Sequence, residues 1–167
     1  MKLSISCKRG DVEVQVDDDD LEKLSKFKWV YEAQSGAVSR CKKKVTYMHR
    51  LIMDCPDGMV VDHIDRSRLN NSKSNLRVCT QSQNSKNQSM PKNNTSGYKG
   101  VVYDGRPENL KKRWQAQIKS NRKNIKLGRF LTKEEAAMAY NEAAILHFGE
   151  FAALNVILAN PSHIFAS

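Results

Sequence analysis

Residues 60–76 read VVDHIDRSRLNNSKSNL, and this stretch decides how the rest of the chain is understood. A short apolar run delivers Asp62 and His63 side by side, and a turn-rich segment dense in asparagine follows. On a strand, neighbouring side chains point to opposite faces, so the two cannot do the same job. The aspartate offers a hard oxygen to a divalent cation such as Mg2+ or Mn2+, and a neutral imidazole is a base near neutral pH. Asn84, on the next helical candidate, offers a second, neutral oxygen. Asn75 lies between them, where its amide can tie a loop to backbone groups. Asp65 and the Asn70–Asn71 pair favour turns by the same kind of bonding. By spacing alone, such an Asp-His pair is structural more often than catalytic.

Upstream, DVEVQV (11–16) alternates strictly and predicts a strand with one buried face. The acidic run Asp17–Asp20 meets LEKLSKF, a short helix whose dipole favours carboxylates at its start; cation binding is the alternative use of that run. WVYEA, AVSRC and KKKVTYM predict short strands with a turn at Ser35-Gly36. HRLIM opens a brief helix, closed by Pro56-Asp57-Gly58. Downstream, Thr80 is a candidate N-cap for a polar helix, and from Pro91 the chain reads as a linker.

GVVYD, RWQAQIK and NIKLGRF then predict three strands. TKEEAAMAYNEAAILHFG (132–149) is a helix with a capping box, Thr132 with Glu135, and a stop at Gly149. Its expected buried stripe is Ala136, Ala139, Tyr140, Ala143 and Ile145 or Leu146. The fold class is α+β, in two domains: residues 1–88, then a linker over 89–96, then 97–155, with a C-terminal tail over 156–167. The second domain is a three-stranded antiparallel sheet packed on one helix.

Forty per cent of the residues are hydrophobic, enough for real cores, and no 18-residue apolar run exists to span a membrane. The N-terminus MKLSISCKRG lacks the apolar centre of a signal peptide, which predicts a soluble, intracellular (cytoplasmic) protein with no membrane partner. Cys7, Cys41, Cys55 and Cys79 form no CxxC pair, arguing against a zinc knuckle and for buried free thiols. Net charge is +10, and residues 81–131 hold 12 Lys/Arg against 2 Asp/Glu, so the entire excess lies in that segment. A solvated basic face is the bland account. Confinement to one segment favours a polyanion partner.

The segment HRLIMDCPDGMVVDHIDRSRLNNSKSNLRVCTQSQN, within residues 49–88, resembles the HNH nuclease motif of phage and intron-encoded homing endonucleases. His49, DHID, the LNN turn, NLR and the QN of the helix carry the likeness. The resemblance implies a ββα-metal unit with one divalent cation held by Asp62 and Asn84. It makes His63 the general base that activates water, and Asn75 the residue that braces the hairpin and orients His63. Asn87, one helical turn after Asn84, is a weaker ligand candidate, and His49 is structural or contacts phosphate. Many relatives carry histidine at the helix ligand position, so asparagine here implies Mg2+ or Mn2+ rather than zinc. One such centre cuts one strand, so a monomer nicks double-stranded DNA.

A second likeness covers about residues 96–155. GYKGVVYDGR, KRWQAQIKS and KNIKLGRFLTKEEAAMAYNEAAILHFGEFAALN resemble the apetala-two/ethylene-response-factor DNA-binding domain, which occurs fused to HNH nucleases. Strand alternation agrees. Trp114, Ala116 and Ile118 share one face, and Arg113, Gln115, Gln117 and Lys119 the other; Ile125 and Leu127 oppose Asn124 and Lys126. A basic, amide-rich sheet face suits a major groove, where Gln and Asn read adenine and Lys and Arg read guanine or hold phosphate. The plain alternative is a solvated antiparallel sheet. Plant relatives place arginine and tryptophan where Val102 and Lys126 stand here, so their target sequence does not transfer. Lys86, Lys92 and Lys99 are candidates to follow the backbone between the two contacts.

The sequence thus predicts a site-specific, metal-dependent DNA endonuclease of the homing type. The alternatives are a DNA-binding regulator with a decayed nuclease motif or, less favoured, an RNA-binding module, since a sheet cannot enter the major groove of A-form RNA.

Overall fold

Leu3 and Ile5 alternate with polar residues, as do Val12 and Val14, and the two segments pair as antiparallel strands β1 (Lys2–Cys7) and β2 (Val12–Gln15). This computed structural model describes residues 1–7, 10–32, 34–41, 44–91, 93–106 and 111–157, without the side chains of 37–41 and 44. Lys92, the side chain of Cys41 and tail residues 158–167 fall outside that description. The described residues form two compact units, Met1–Gln88 and Ser89–Ser167.

In the first unit β1 is an element that the sequence reading did not anticipate; its other edge pairs in parallel with β3 (Val30–Glu32). A parallel partner needs a crossover. Here it is a 3-10 turn at Asp18–Asp20 followed by helix α1 (Leu21–Ser25). Strands β4 (Gly36–Cys41) and β5 (Lys44–Tyr47) complete a five-stranded sheet in the order β2-β1-β3-β4-β5. Helix α2 (Met48–Ile52) follows. The core gathers Val14, Val16, Leu24, Trp29, Met48 and Ile52, and Trp29 Nε1 donates to the Leu24 carbonyl at 2.9 Å.

Val61 and Leu76 join that core from a separate antiparallel hairpin, β6 (Val60–His63) and β7 (Leu76–Cys79). Thr80 then caps helix α3 (Gln81–Asn84) with a reciprocal box to Gln83, and the chain continues as a 3-10 turn, Ser85–Asn87. The long hairpin loop is sewn to the edge of β2. Gln15 N–H donates to Leu69 O at 2.7 Å, and Asn71 N–H donates to Gln15 O at 2.8 Å. The acidic run contributes here as well: Asp17 accepts the Lys73 N–H, and Asp20 pairs with the Lys73 ammonium at 2.9 Å.

In the second unit, β8 (Val101–Tyr103), β9 (Trp114–Ser120) and β10 (Lys123–Phe130) form an antiparallel sheet in the order β10-β9-β8, with helix α4 (Lys133–Phe148) packed against it. Thr132 and Glu135 form the capping box. The buried helix face is Ala136, Ala137, Tyr140 and Ala144, whereas Ile145 and Leu146 are 56% and 82% exposed. The expected stripe is therefore rotated by about one residue. Alanines carry little directional preference, and the Tyr140 ring sets the angle by packing where Gly100 lacks a side chain. Trp114 packs against the core, as its alternation suggests. Asn155 closes the unit: its amide bonds both the N–H (2.6 Å) and the C=O (3.0 Å) of Lys99, and its backbone is gripped in turn by the Asn141 amide.

No helix among the described residues is long and apolar enough to cross a membrane. Cys7, Cys55 and Cys79 are free thiols, only the last fully buried.

Candidate functional site

Alternation along β6 separates Asp62 from His63, and each is held by a different set of partners. Asp62, 5% exposed, faces Arg77, its partner across the hairpin, and Asn87. Arg77 donates from Nε (2.9 Å) and Nη2 (2.7 Å) to the Oδ2 of Asp62. Asn87 Nδ2 bridges Oδ1 at 3.0 Å and Oδ2 at 3.1 Å. The same Nδ2 also donates to the carbonyls of His63 (2.9 Å) and Ile64 (3.3 Å). Four acceptors around one nitrogen fix the orientation of that amide. Oδ1 of Asp62 thus receives a single hydrogen bond among the described residues and keeps a lone pair.

His63 turns the other way. Its Nε2 lies 3.2 Å from Asn71 Oδ1, and its ring meets that of His49, on α2, edge-on at a centroid distance of 5.3 Å. Asn71, 1% exposed, donates from Nδ2 to the Arg68 carbonyl at 3.2 Å. Burial pushes the His63 pKa below its ordinary value; the Asn71 bond and the charges of Asp65 and Asp62 oppose this only partly, and Arg68 adds to the lowering. Burial, aided by His63, Arg50 and Arg68, pushes His49 down to about 4. Both imidazoles are neutral at physiological pH.

Asn75 does not reach the imidazole. Its Oδ1 accepts the Asp65 N–H at 3.0 Å, and its Nδ2 donates to Asp65 Oδ1 and the Asn70 carbonyl, both at 2.9 Å. It ties the hairpin loop to itself. Burial would raise the Asp65 pKa, but the Ser67 N–H and the Asn70 and Asn75 amides, with His63, lower it overall. Asn84 is half-buried on α3, and its side-chain amide makes no hydrogen bond among the described residues. Asn71, Arg77 and the amide of Asn87 are thus the contacts that sequence reasoning missed or ranked low. The signals were the density of asparagine after DHID and the place of Asn71 and Arg77 in the LNN and NLR stretches.

In the second unit the register lays out the outer sheet face. Val102, Gln115 and Arg129 form one row, Gln117 and Lys126 the next, and Lys119 and Asn124 a third. A bulge between Lys126 and Gly128 keeps Arg129 on this face. Arg113 lies beside them at the end of β9, donating to the Tyr103 hydroxyl at 2.9 Å. Lys99 precedes β8, its backbone held by Asn155. Asp104 pairs with Arg106 at 2.6 Å and Arg129 at 3.0 Å, and these guanidiniums hold its carboxyl well below the usual range.

A profile described as HNH endonuclease matches residues 47–86, from the end of β5 to the turn after α3. An uncharacterized HNH endonuclease of Acanthamoeba polyphaga mimivirus is 36% identical over 140 residues, covering 80% of this chain and 70% of that protein. The chain belongs to the HNH endonuclease family. Protein 3.8 of Escherichia phage T7 is 34% identical to this HNH chain over 97 residues, 58% of the chain and 76% of the phage protein. The mimivirus match is longer than either compact unit, so the likeness extends into both. No solved structure matches the chain.

The donors of this HNH segment suit a hard, weakly chelated cation. Among the described residues no three His, Cys, Asp or Glu side chains gather into a metal cluster. A buried carboxylate with one open oxygen and an uncommitted amide are each the kind of oxygen donor that Mg2+, which keeps several waters, accepts. Asn87 offers its nitrogen to Asp62, so it acts as a clamp on the carboxylate.

Proposed function

We propose that this protein is a metal-dependent DNA endonuclease that nicks one strand at a chosen site, with the first unit cutting and the second reading. The observation that carries the proposal is the clamp on Asp62. Arg77 and Asn87 fix the carboxylate so that one oxygen is directed and open, while His63, on the opposite face of the same strand, is buried and neutral. Asp62 Oδ1 and the Asn84 amide oxygen would hold one Mg2+ or Mn2+, whose charge relieves the departing 3′ oxygen. His63 takes the proton of the attacking water, a role worth about 10²–10⁴ in rate. Arg77 and Asn87 keep Asp62 from turning away, and Asn75 holds the loop in shape.

The second unit supports recognition through its outer face, where Gln115, Gln117 and Asn124 interleave with Lys119, Lys126 and Arg129, Arg113 standing at the edge. The sequence of this unit resembles apetala-two-like DNA-binding domains. With a single cutting centre per chain, a monomer leaves nicks, and the motif's resemblance to homing endonucleases supports a homing-type activity.

The test is incubation of the full chain with supercoiled plasmid and Mg2+ or Mn2+, followed by strand-by-strand mapping of cut sites in genomic DNA. Relaxed circles in the wild type, absent in His63→Ala while gel-shift binding is kept, are the expected result. A wild type that binds DNA but leaves plasmid supercoiled would instead mark a regulator with a decayed nuclease motif.

A further inference from the structure

We infer that Asn71, not Asn75, is the positioning residue that sets the tautomer of His63, a deepening of the endonuclease reading above. A carbonyl oxygen can only accept a hydrogen bond. The Arg68 carbonyl, 3.2 Å from Asn71 Nδ2, therefore takes the amide nitrogen, and Oδ1 is left to face His63. An amide oxygen also only accepts. The imidazole nitrogen 3.2 Å away, Nε2, must then carry the proton, and Nδ1 keeps the lone pair. Among the described residues nothing else bonds either ring nitrogen, so this one contact decides the tautomer.

Asn71 is built for the task. It is 1% exposed, and its backbone N–H is fixed to Gln15 O, on the edge of the five-stranded sheet, at 2.8 Å. Its backbone is anchored and its amide is held at both ends, by the Arg68 carbonyl and by His63, which leaves that amide no freedom to flip. Asn75, with both ends of its amide on Asp65 and Asn70, has no bond left for the imidazole. Division of labour follows: Asn75 shapes the loop, and Asn71 presents Nδ1 of His63 as the basic nitrogen.

The experiment is nitrogen-15 NMR of the full-length chain labelled at histidine, at neutral pH, with His63 assigned by its loss in His63→Gln. The wild type should show the proton on Nε2. Asn71→Leu, which keeps the volume and removes the acceptor, should shift His63 toward a mixture with the proton on Nδ1. Asn71→Asp, which keeps an oxygen toward Nε2, should retain the wild-type tautomer. In plasmid nicking, Asn71→Leu should lose kcat, within the about 10²–10⁴-fold a placed base provides, with KM little changed. A wild-type proton on Nδ1, or an unchanged tautomer in Asn71→Leu, overturns the assignment. Should Asn71→Leu fail to fold, the wild-type and Asn71→Asp spectra still decide. An inactive wild type with the Nε2 proton in place would sink the endonuclease reading alone and support the Asn71 assignment.

Discussion

Arg77 lies directly across the hairpin from Asp62 and gives two hydrogen bonds, 2.9 and 2.7 Å, to one oxygen of its carboxylate. Both side chains are largely buried, at 13% and 6% exposure. Removing one partner of a buried pair leaves an uncompensated charge, which costs about 3–5 kcal/mol. Arg77→Met should therefore lower the urea-unfolding free energy by about 3 kcal/mol or more. Arg77→Lys keeps the charge but loses the planar fork, and should cost less in stability than Arg77→Met. Equal stabilities for the two variants would show that charge without the planar fork contributes nothing, and an Arg77→Lys as stable as the wild type would show that the bond geometry is immaterial.

Gly100 has φ +76°, and a Cβ placed there would overlap the Tyr140 ring and come within 2.6 Å of Gln117 O. Gln117 N–H is meanwhile bonded to Gly100 O at 2.8 Å, so the backbone cannot retreat. Gly100→Ala should destabilise the second unit by about 3 kcal/mol or more, combining overpacking with strained backbone. Gly97, with φ +79° and nothing within 4 Å, supplies the control. Gly97→Ala carries the backbone cost alone, about 1 kcal/mol. Thermal unfolding of the two variants side by side separates close packing from conformational strain.

His49 is held neutral by burial, with its pKa near 4 against 6.5 for an exposed imidazole. Between those values the unfolded chain binds a proton that the folded chain does not, so stability falls as pH drops from about 6.5 to about 4. The full effect is up to about 3 kcal/mol. His49→Phe keeps a ring beside Tyr47 and His63 and removes the titration. Urea unfolding at pH 7 and pH 4.5 should show a smaller loss in the variant. An identical loss would mean that His49 is not the group responsible.

Most elements with a period were legible in the sequence, the alternating β1 being passed over, and so was the separation of Asp62 from His63, which strand alternation dictates. Contacts made by loop asparagines were not. Asn70, Asn71 and Asn75 differ only in which backbone groups the irregular 64–75 loop brings within reach, and that depends on the loop being tied to Gln15, 56 residues before Asn71. Likewise Asn84 and Asn87 sit one turn apart, the chain passes from α-helix to 3-10 geometry after Asn84, and it is Asn87 that reaches Asp62. The rotated stripe of α4 has the same origin: a helix rich in alanine takes its orientation from its partner's shape.

Lys119 and Lys126 share the outer sheet face with Gln115 and Gln117, which allows affinity and specificity to be pulled apart. A lysine on phosphate releases a counterion, so each one lost should flatten the plot of log affinity against log salt by about 0.9. The wild type, if it neutralises about six phosphates, should have a slope near −5. Lys119→Ala and Lys126→Ala should thus weaken binding to all sequences alike and flatten that slope. Gln115→Ala and Gln117→Ala should leave the slope unchanged while relaxing preference at particular base pairs by about 1–3 kcal/mol. Gel-shift titrations from 50 to 200 mM salt, on the mapped cut site and on scrambled DNA, measure both quantities. If all four variants bind and discriminate like the wild type, this face does not touch DNA, and recognition belongs to another surface of the second unit.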